Sequence, residues 1–233
     1  MKKFTLFTLI SLFSIINCFA QDKGYIAVSL GPSIPTGDFA SKNPNYQPAG
    51  LANPGAIFDI SFGYKFDKNF GIAALIRGQA NTIDGQVLAQ ELLRQNPGLS
   101  YTVDGGTWAI AGYMFGGYGS FPISEKISFE SRIMFGFLTA TSPDINVDAF
   151  TSGYSGWVKQ SGTRSTAFAH LIGVGFKWDV GRRIALLANF DYLGAKPEFR
   201  NVITTSSAGT MEMNTFSQRF GTINFGIGVG YRL

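Results

Sequence analysis

His170 is the only histidine of the 233-residue chain, and its imidazole is the side chain best suited to general acid–base chemistry at neutral pH. Nucleophilic catalysis also needs a hydroxyl within hydrogen-bond reach of that base and a third group to orient it. The next residues are Leu171, Ile172 and Gly173, so no hydroxyl lies two positions on, where a strand would place it on the same face. The sequence favours a non-catalytic histidine, and catalysis through His170 stays open as an alternative.

The segment Asp144-Ile145-Asn146-Val147-Asp148 has the ligand spacing that opens a calcium-binding loop. The turn glycine of such a loop is replaced by Ala149, and Ser155 stands where a bidentate glutamate is needed. We interpret the segment as a polar surface loop rather than a metal site.

The glycines of Gly226-x-Gly228-x-Gly230 resemble part of a phosphate-binding loop. They recur with period two and no helix follows, whereas a nucleotide loop opens a helix. The glycine pattern therefore predicts one face of a strand and no nucleotide cofactor. With the two motifs above, the sequence favours a protein with no cofactor, no metal and no catalytic residue.

The first twenty residues have the three parts of a secretory signal peptide. Lys2 and Lys3 precede an apolar stretch, and Ala20 before Gln21 provides a cleavage site. We therefore divide the chain into a cleaved signal peptide, 1–20, and one domain, 21–233. An alternative is a lipoprotein anchored through Cys18, but Ile15-Ile16-Asn17 lacks the small residue that its processing needs.

Cleavage would remove the single cysteine and two lysines. The charge balance then falls from 19 basic against 15 acidic residues to 17 against 15. This small excess, without a run of Lys or Arg, predicts no binding to nucleic acid.

Eight segments alternate bulky apolar residues with small or polar ones at period two, as strands do. They are residues 24–34, 55–66, 70–79, 107–121, 127–137, 167–178, 184–192 and 222–233. In segment 107–121 we do not assign which residues face inward, because its aromatic residues lie at both odd and even positions. Gly116-Gly117 suggests a bulge in that strand. The small face has too little volume to fill a soluble core, so we expect the bulky face to meet lipid.

Short connections at 67–69, 122–126 and 179–183 alternate strictly with long polar ones at 35–54, 80–106, 141–162 and 196–218. One helix is predicted in the second long loop, from Asp84 to Asn96. This layout predicts an all-β fold: an eight-stranded antiparallel up-and-down transmembrane β-barrel with short periplasmic turns and four long extracellular loops.

The small face of the predicted barrel carries charges that should pair in the lumen. They are Asp59, Arg77, Glu130, Arg132 and Asp191. A three-residue hairpin at 67–69 sets Phe66 opposite Phe70, and counting outward places Asp59 opposite Arg77. The alternative is a shifted register in which Arg77 pairs with Glu130 or Asp191.

The signal peptide ending at Ala20-Gln21, the start Gly24-Tyr25-Ile26 and the last six residues, 228–233, resemble the outer-membrane β-barrel domain family of OmpA/OmpX-like proteins. The resemblance covers the mature chain and implies export to the outer membrane of a Gram-negative bacterium. It also implies that the outward residues of the last strand form a signal for the barrel-assembly machinery: Phe225, Ile227, Val229, Tyr231 and Leu233. Leu233 departs from the usual final phenylalanine.

Members of that family are structural, adhesive or loop-presenting, so the resemblance implies a non-enzymatic envelope protein. We expect it to be a monomer that contacts outer-membrane lipid and lipopolysaccharide, with an unidentified extracellular ligand as a possible partner. Two alternatives stay open. Some eight-stranded outer-membrane enzymes modify lipid A with a histidine, which His170 would have to supply, and a narrow lumen could conduct small solutes.

Overall fold

A computed structural model describes residues 23–209 and 211–233, apart from the side chain of Tyr154. The predicted signal peptide lies outside these residues. Eight strands form one closed barrel: β1 (Gly24–Pro35), β2 (Gly55–Lys65), β3 (Phe70–Thr82), β5 (Thr107–Pro122), β6 (Ile127–Thr141), β9 (Arg164–Asp179), β10 (Ile184–Ala195) and β13 (Phe220–Arg232). Each pairs antiparallel with its neighbours in the chain order of these eight, and β1 closes on β13. The predicted eight-stranded barrel is therefore confirmed.

The three short turns lie at one end of the barrel, the turn end, and the long connections lie at the other, the loop end. In the first turn both Phe66 and Asp67 donate their backbone N–H to the carbonyl of Phe70. That geometry fixes the predicted register, in which Asp59 faces Arg77 across β2 and β3. A one-residue slip would move every side chain to the opposite face.

Large apolar side chains cover the outside of the barrel. Exposed examples from each barrel strand are Leu30, Phe58, Ile76, Tyr113, Phe135, Phe168, Phe190 and Ile227. Many of their inward neighbours are small, polar or charged, as Asp59 next to Phe58 and Gly228 next to Ile227 show. The lumen also holds large apolar side chains, among them Leu75, Met114 and Met134, which the sequence did not predict. A soluble barrel would have the reverse arrangement. Among the described residues, neither helix is long and apolar enough to cross a membrane.

Strand β5 alternates regularly, although its sequence did not predict its faces. Trp108, Met114 and Tyr118 point inward, while Tyr113 and Phe115 are exposed outside. Its pairing with β3 runs without a shift from Gly119 to Thr107, so the suggested bulge at Gly116-Gly117 was wrong. The inward aromatics fit because the two ends of the lumen hold large side chains.

The long connections contain regular structure that the polar composition did not predict. A second, five-stranded sheet, here the loop sheet, has the order β12 (Met211–Ser217), β11 (Glu198–Ser206), β8 (Tyr154–Gln160), β7 (Ile145–Thr151) and β4 (Ser100–Asp104). A short helix, α1 (Gly37–Ala40), lies in the first connection. The interpretation of these segments as irregular loops was therefore incomplete.

The predicted helix is present as α2 (Gly85–Gln95). The Asp84 side chain caps it by accepting a hydrogen bond from the Val87 N–H, 3.4 Å away. Val87 and Leu88 pack on the core at the loop end, while Leu93 is exposed. The helix therefore covers part of the barrel mouth with its first turns.

An aromatic cluster closes the lumen at the loop end. The Phe39 ring of α1 lies 4.5 Å from that of Phe220 and 5.9 Å from that of Trp108, centroid to centroid. Phe199 packs 5.7 Å from Trp108, and the indole N–H of Trp108 donates to the Gly50 carbonyl at 3.0 Å. Edge-to-face packing and a satisfied indole N–H stabilise this apolar plug.

Candidate functional site

The centre of the lumen holds a buried ion pair on adjacent strands. Arg77 is 1% exposed, and its guanidinium binds Asp59 in a fork, with Nε at 2.7 Å from Oδ1 and Nη2 at 2.6 Å from Oδ2. The two residues are direct cross-strand partners in β2 and β3. Such bidentate contacts are among the strongest hydrogen bonds that side chains form.

Arg77 also reaches across the lumen to Asp191 on β10. Nη1 lies 2.7 Å from Oδ1 and Nη2 lies 2.9 Å from Oδ2. The alternative partner considered from the sequence is therefore bound in addition to Asp59. One guanidinium thereby links opposite walls of the barrel.

Asp191 receives two further hydrogen bonds. Arg132 Nη2 donates to Oδ2 at 2.7 Å, and Asn224 Nδ2 donates to Oδ1 at 3.0 Å. Arg132 reaches Asp191 across Gly173, where an added Cβ would lie 3.1 Å from Arg132 Nε and 2.8 Å from the Asp191 Cβ. Glycine at 173 therefore leaves the space that this contact needs.

The four charged residues Asp59, Arg77, Asp191 and Arg132, here the lumen network, contain two positive and two negative charges. The network is thus neutral as a whole. Removing one member strands a buried charge, which costs far more than the net contribution of the intact pair. This arrangement stabilises one packing of the barrel interior rather than exposing charge to a ligand.

Glu130, the fifth predicted lumen charge, does not join the network. It lies nearer the turn end, where its Oε1 is 3.8 Å from Lys177 Nζ. Lys177 and Asn224 were not among the predicted site residues. Their inward parity on β9 and β13 was the signal that could have identified them.

Three layers of side chains fill the lumen. At the turn end the rings of Tyr25 and Tyr118 meet edge to face, 5.8 Å apart. The lumen network crosses the middle, and the aromatic plug around Phe39 and Trp108 closes the loop end. An eight-stranded barrel has an interior just wide enough for side chains to fill, and here they fill it.

His170 lies on the outside of the barrel, in the half nearer the loop end. It is paired with Phe135 on β6 and Gly194 on β10, and its ring centroid is 6.2 Å from that of Tyr192. The predicted outward facing is observed. The contacts are those of an aromatic side chain on an apolar surface.

Asp144 is engaged in the backbone of the loop region. Its Oδ1 accepts the Gly162 N–H at 2.8 Å, and the following residues form strand β7 instead of a calcium loop. Within 23–209 and 211–233, no group of three or more His, Cys, Asp or Glu side chains is placed to hold a metal ion.

The last strand places its large residues outside and its glycines inside. The outward residues, all more than a third exposed, are Phe225, Ile227, Val229, Tyr231 and Leu233. A Cβ at Gly228 would lie 2.3 Å from the Val28 carbonyl oxygen, so close approach of β1 and β13 requires glycine there. The glycines thus serve strand packing rather than phosphate binding.

Neither a protein-family model nor a curated protein sequence matches the chain. Solved structures do match. A major outer membrane protein from Thermus thermophilus is 9% identical, with a TM-score of 0.50 over 90% of this chain and 99% of that one. OprG, an outer membrane protein of Pseudomonas aeruginosa, is 11% identical, with a TM-score of 0.50 over 91% of this chain and 96% of that one.

A third similar structure is Ail, the attachment invasion locus protein of Yersinia pestis. It is 14% identical, with a TM-score of 0.45 over 91% of this chain and 99% of that one. At these identities the likeness concerns the fold. Together with the closed barrel and its apolar exterior, the first two structures show that this chain has the eight-stranded outer-membrane β-barrel fold.

Proposed function

We propose that the protein is a non-enzymatic, integral outer-membrane barrel that stabilises the envelope and presents its loop sheet outside the cell. The observation that carries this proposal is an apolar exterior around a lumen that packed side chains block at its centre and at its loop end. A closed barrel satisfies every backbone group within a bilayer. Because the lumen is blocked, the exposed loop end is the part of the molecule that faces possible ligands outside the cell.

The orientation follows from the general layout of such barrels, whose short turns face the periplasm and whose long loops face outward. The loop sheet would then stand above the lipopolysaccharide. Its exposed large side chains are Phe150, Trp157, Val158, Met211 and Met213. Aromatic and methionine side chains are favoured at binding surfaces, which supports a loop-presenting role with an extracellular ligand.

The partners of the barrel itself would be outer-membrane lipid and lipopolysaccharide. During biogenesis, the outward residues of β13 from Phe225 to Leu233 would be recognised by the barrel-assembly machinery. A closed barrel has no free edge in the membrane, which supports a monomer.

The two alternative functions receive less support. A lipid A-modifying enzyme would need a nucleophile and an acid beside His170, whose described neighbours are the apolar Phe135, Gly194 and the ring of Tyr192. A solute channel would need an open path, which the lumen network and the aromatic plug obstruct.

The role is tested in a strain lacking the gene, complemented with either the full chain or a variant in which residues 144–162 are replaced by a short Gly-Ser turn. Outer-membrane fractionation and heat-modifiable gel mobility would establish that both forms fold. If both restore detergent resistance, the barrel alone stabilises the envelope. If only the full chain does, the loop sheet is required.

An altered lipid A acyl pattern in the deletion strain, restored by the wild type and not by His170→Ala, would contradict the proposal. It would establish the enzymatic alternative instead.

A further inference from the structure

The turn end of the barrel opens into a cavity of about 300 Å³, here the vestibule. Its charged lining residues are Lys23, Lys65, Lys177, Arg232, Glu125 and Asp179. Four cations therefore face two carboxylates of the lining, and a third carboxylate, that of Glu130, lies 3.8 Å from Lys177 Nζ. The inward parity of β2, β9 and β13 brings Lys65, Lys177 and Arg232 to the mouth from three separate walls.

These cations are unequally neutralised. Arg232 Nη2 lies 2.7 Å from Asp179 Oδ1, a close pair. Lys177 is 3.8 Å from Glu130, at the limit of an ion pair. Lys65 Nζ donates to the Ser120 hydroxyl at 3.0 Å, and among the described residues no carboxylate lies within ion-pair distance of it. A half-buried ammonium with only a hydroxyl partner is incompletely compensated.

Tyr118 adds a neutral donor to the same cavity. The residue is 5% exposed, and its hydroxyl has no hydrogen-bond partner among the described residues. Buried hydroxyls nearly always have a partner. Tyr118, Lys65 and Lys177 line the same cavity. An unused O–H together with two incompletely compensated ammonium groups fits an oxygen-rich anion, which accepts hydrogen bonds and carries negative charge.

We propose that the vestibule binds a phosphate-type oxyanion between Lys65 and Lys177, with the Tyr118 hydroxyl as a third donor. The cavity is far larger than the few tens of cubic ångströms of a single water molecule, so it also admits a phosphomonoester or phosphodiester group. The vestibule differs from the lumen network, whose charges cancel, and from the loop sheet at the opposite end of the barrel.

Binding is tested by titrating inorganic phosphate into the protein refolded in a phosphate-free detergent, at constant ionic strength set with chloride, in a calorimeter. We expect saturable binding by the wild type. Lys65→Gln and Lys177→Gln should each weaken it by about tenfold or more, because each removes a charge-assisted contact. Tyr118→Phe should weaken it severalfold while keeping the ring that packs on Tyr25.

Matched controls separate this site from general attraction to a basic protein. Lys159→Gln, in the loop sheet, and Tyr113→Phe, on the outside of the barrel, should leave the affinity for phosphate unchanged. Lys65→Arg keeps the charge and should retain binding, which covers the case in which Lys65→Gln does not fold. Wild-type protein that binds no phosphate, or equal affinity in Lys65→Gln and Lys159→Gln, overturns the proposal.

The source of the phosphate group is assigned by repeating the titration in nanodiscs of phosphatidylcholine, whose zwitterionic headgroup carries a phosphodiester, and comparing it with the titration in phosphate-free detergent. Weaker binding of free phosphate in the nanodiscs would mean that a lipid headgroup competes for the vestibule. Equal affinity in nanodiscs and in detergent would assign the site to a soluble phosphorylated compound.

Discussion

At the residue scale, Arg77 holds the interior together because it is shared by two carboxylates. Asp59 and Asp191 both lie within 2.9 Å of its guanidinium nitrogens. Without Arg77, the two carboxylates would face each other in a closed lumen. The Arg77 guanidinium is therefore a counter-ion for both carboxylates, and not only for Asp59, its partner on the adjacent strand.

We expect Arg77→Gln to lower the free energy of unfolding by about 3–5 kcal/mol, as for breaking other buried ion pairs. Asp59→Asn should cost less, because Arg77 keeps Asp191. Folding titrations of the two single variants and the double variant in lipid would give the coupling energy. A coupling near zero would show that Asp59 and Arg77 do not interact in the folded barrel.

The sequence was sufficient to predict the Asp59–Arg77 contact, because a short turn sets the register and parity sets the face. The second partner of Arg77 could not be chosen in the same way. Asp191 lies 114 positions away, and its approach depends on how the barrel closes. The alternation of residues places both Glu130 and Asp191 on the inward face, so the sequence does not distinguish between them as partners of Arg77. In the structure they differ in their height along the barrel axis.

At the element scale, the outward face of β13 should contact lipid, so a charged side chain placed there should destabilise the barrel. Ile227 is 60% exposed on the bulky face, near the middle of the strand. Ile227→Arg should lower the free energy of unfolding in lipid by about 2–4 kcal/mol, which is the cost of an arginine near the bilayer midplane.

Ile123→Arg is the matched control for that variant. Ile123 is 63% exposed but lies in the short turn between β5 and β6, at the membrane border or beyond it. The same substitution there should cost about 0–1 kcal/mol. Equal costs at the two positions in folding titrations would contradict a lipid-facing β13.

Helix α2 carries a carboxylate whose titration reports on the loops. Hydrogen bonds from Arg94, then from Gln95 and Asn45, lower the pKa of Glu91 from 4.5 to about 2. Because the folded pKa is depressed, this stabilisation is present above pH 4.5 and is lost as the pH falls toward 2. Asn45 belongs to the first long connection, so protonation should also loosen its contact with α2.

We expect a carbon-detected NMR titration to find the Glu91 carboxyl midpoint near pH 2 in the wild type. Arg94→Gln should move it toward 4.5. An unchanged midpoint in that variant would mean that Arg94 does not hold this carboxylate in solution.

The positions of the eight barrel strands were predictable because apolar and small or polar residues alternate over long runs, although the two faces of β5 were not. The loop sheet was not, because its strands are short and its pairings are distant. Strand β4 has five residues, and β11 pairs with β8 through Thr204, Thr205 and Ser206 alone. Polar composition indicates an exposed segment but does not distinguish an irregular loop from a solvated strand.

At the scale of the whole molecule, a barrel with a packed lumen should not conduct. Reconstituted in a planar bilayer, the wild type should show no stable channel steps. The Tyr25–Tyr118 contact, the lumen network and the aromatic plug each block the path. Sustained ohmic conductance by the wild type would support the channel alternative over a loop-presenting barrel.

In the proposed topology, this chain crosses the outer membrane with its long loops outside the cell and its short turns in the periplasm. Its one cysteine, Cys18, lies in the predicted signal peptide, so cleavage after Ala20 would leave a cysteine-free background. Ala208→Cys would place a thiol at the exposed tip of the β11–β12 connection, and Lys68→Cys would place one in the exposed turn between β2 and β3.

The most direct measurement is labelling of these two variants on intact cells with a membrane-impermeant maleimide. We expect Ala208→Cys to be labelled on intact cells, and Lys68→Cys to be labelled only after the outer membrane is permeabilised. Labelling of Lys68→Cys on intact cells, or of Ala208→Cys only after permeabilisation, would contradict the proposed topology.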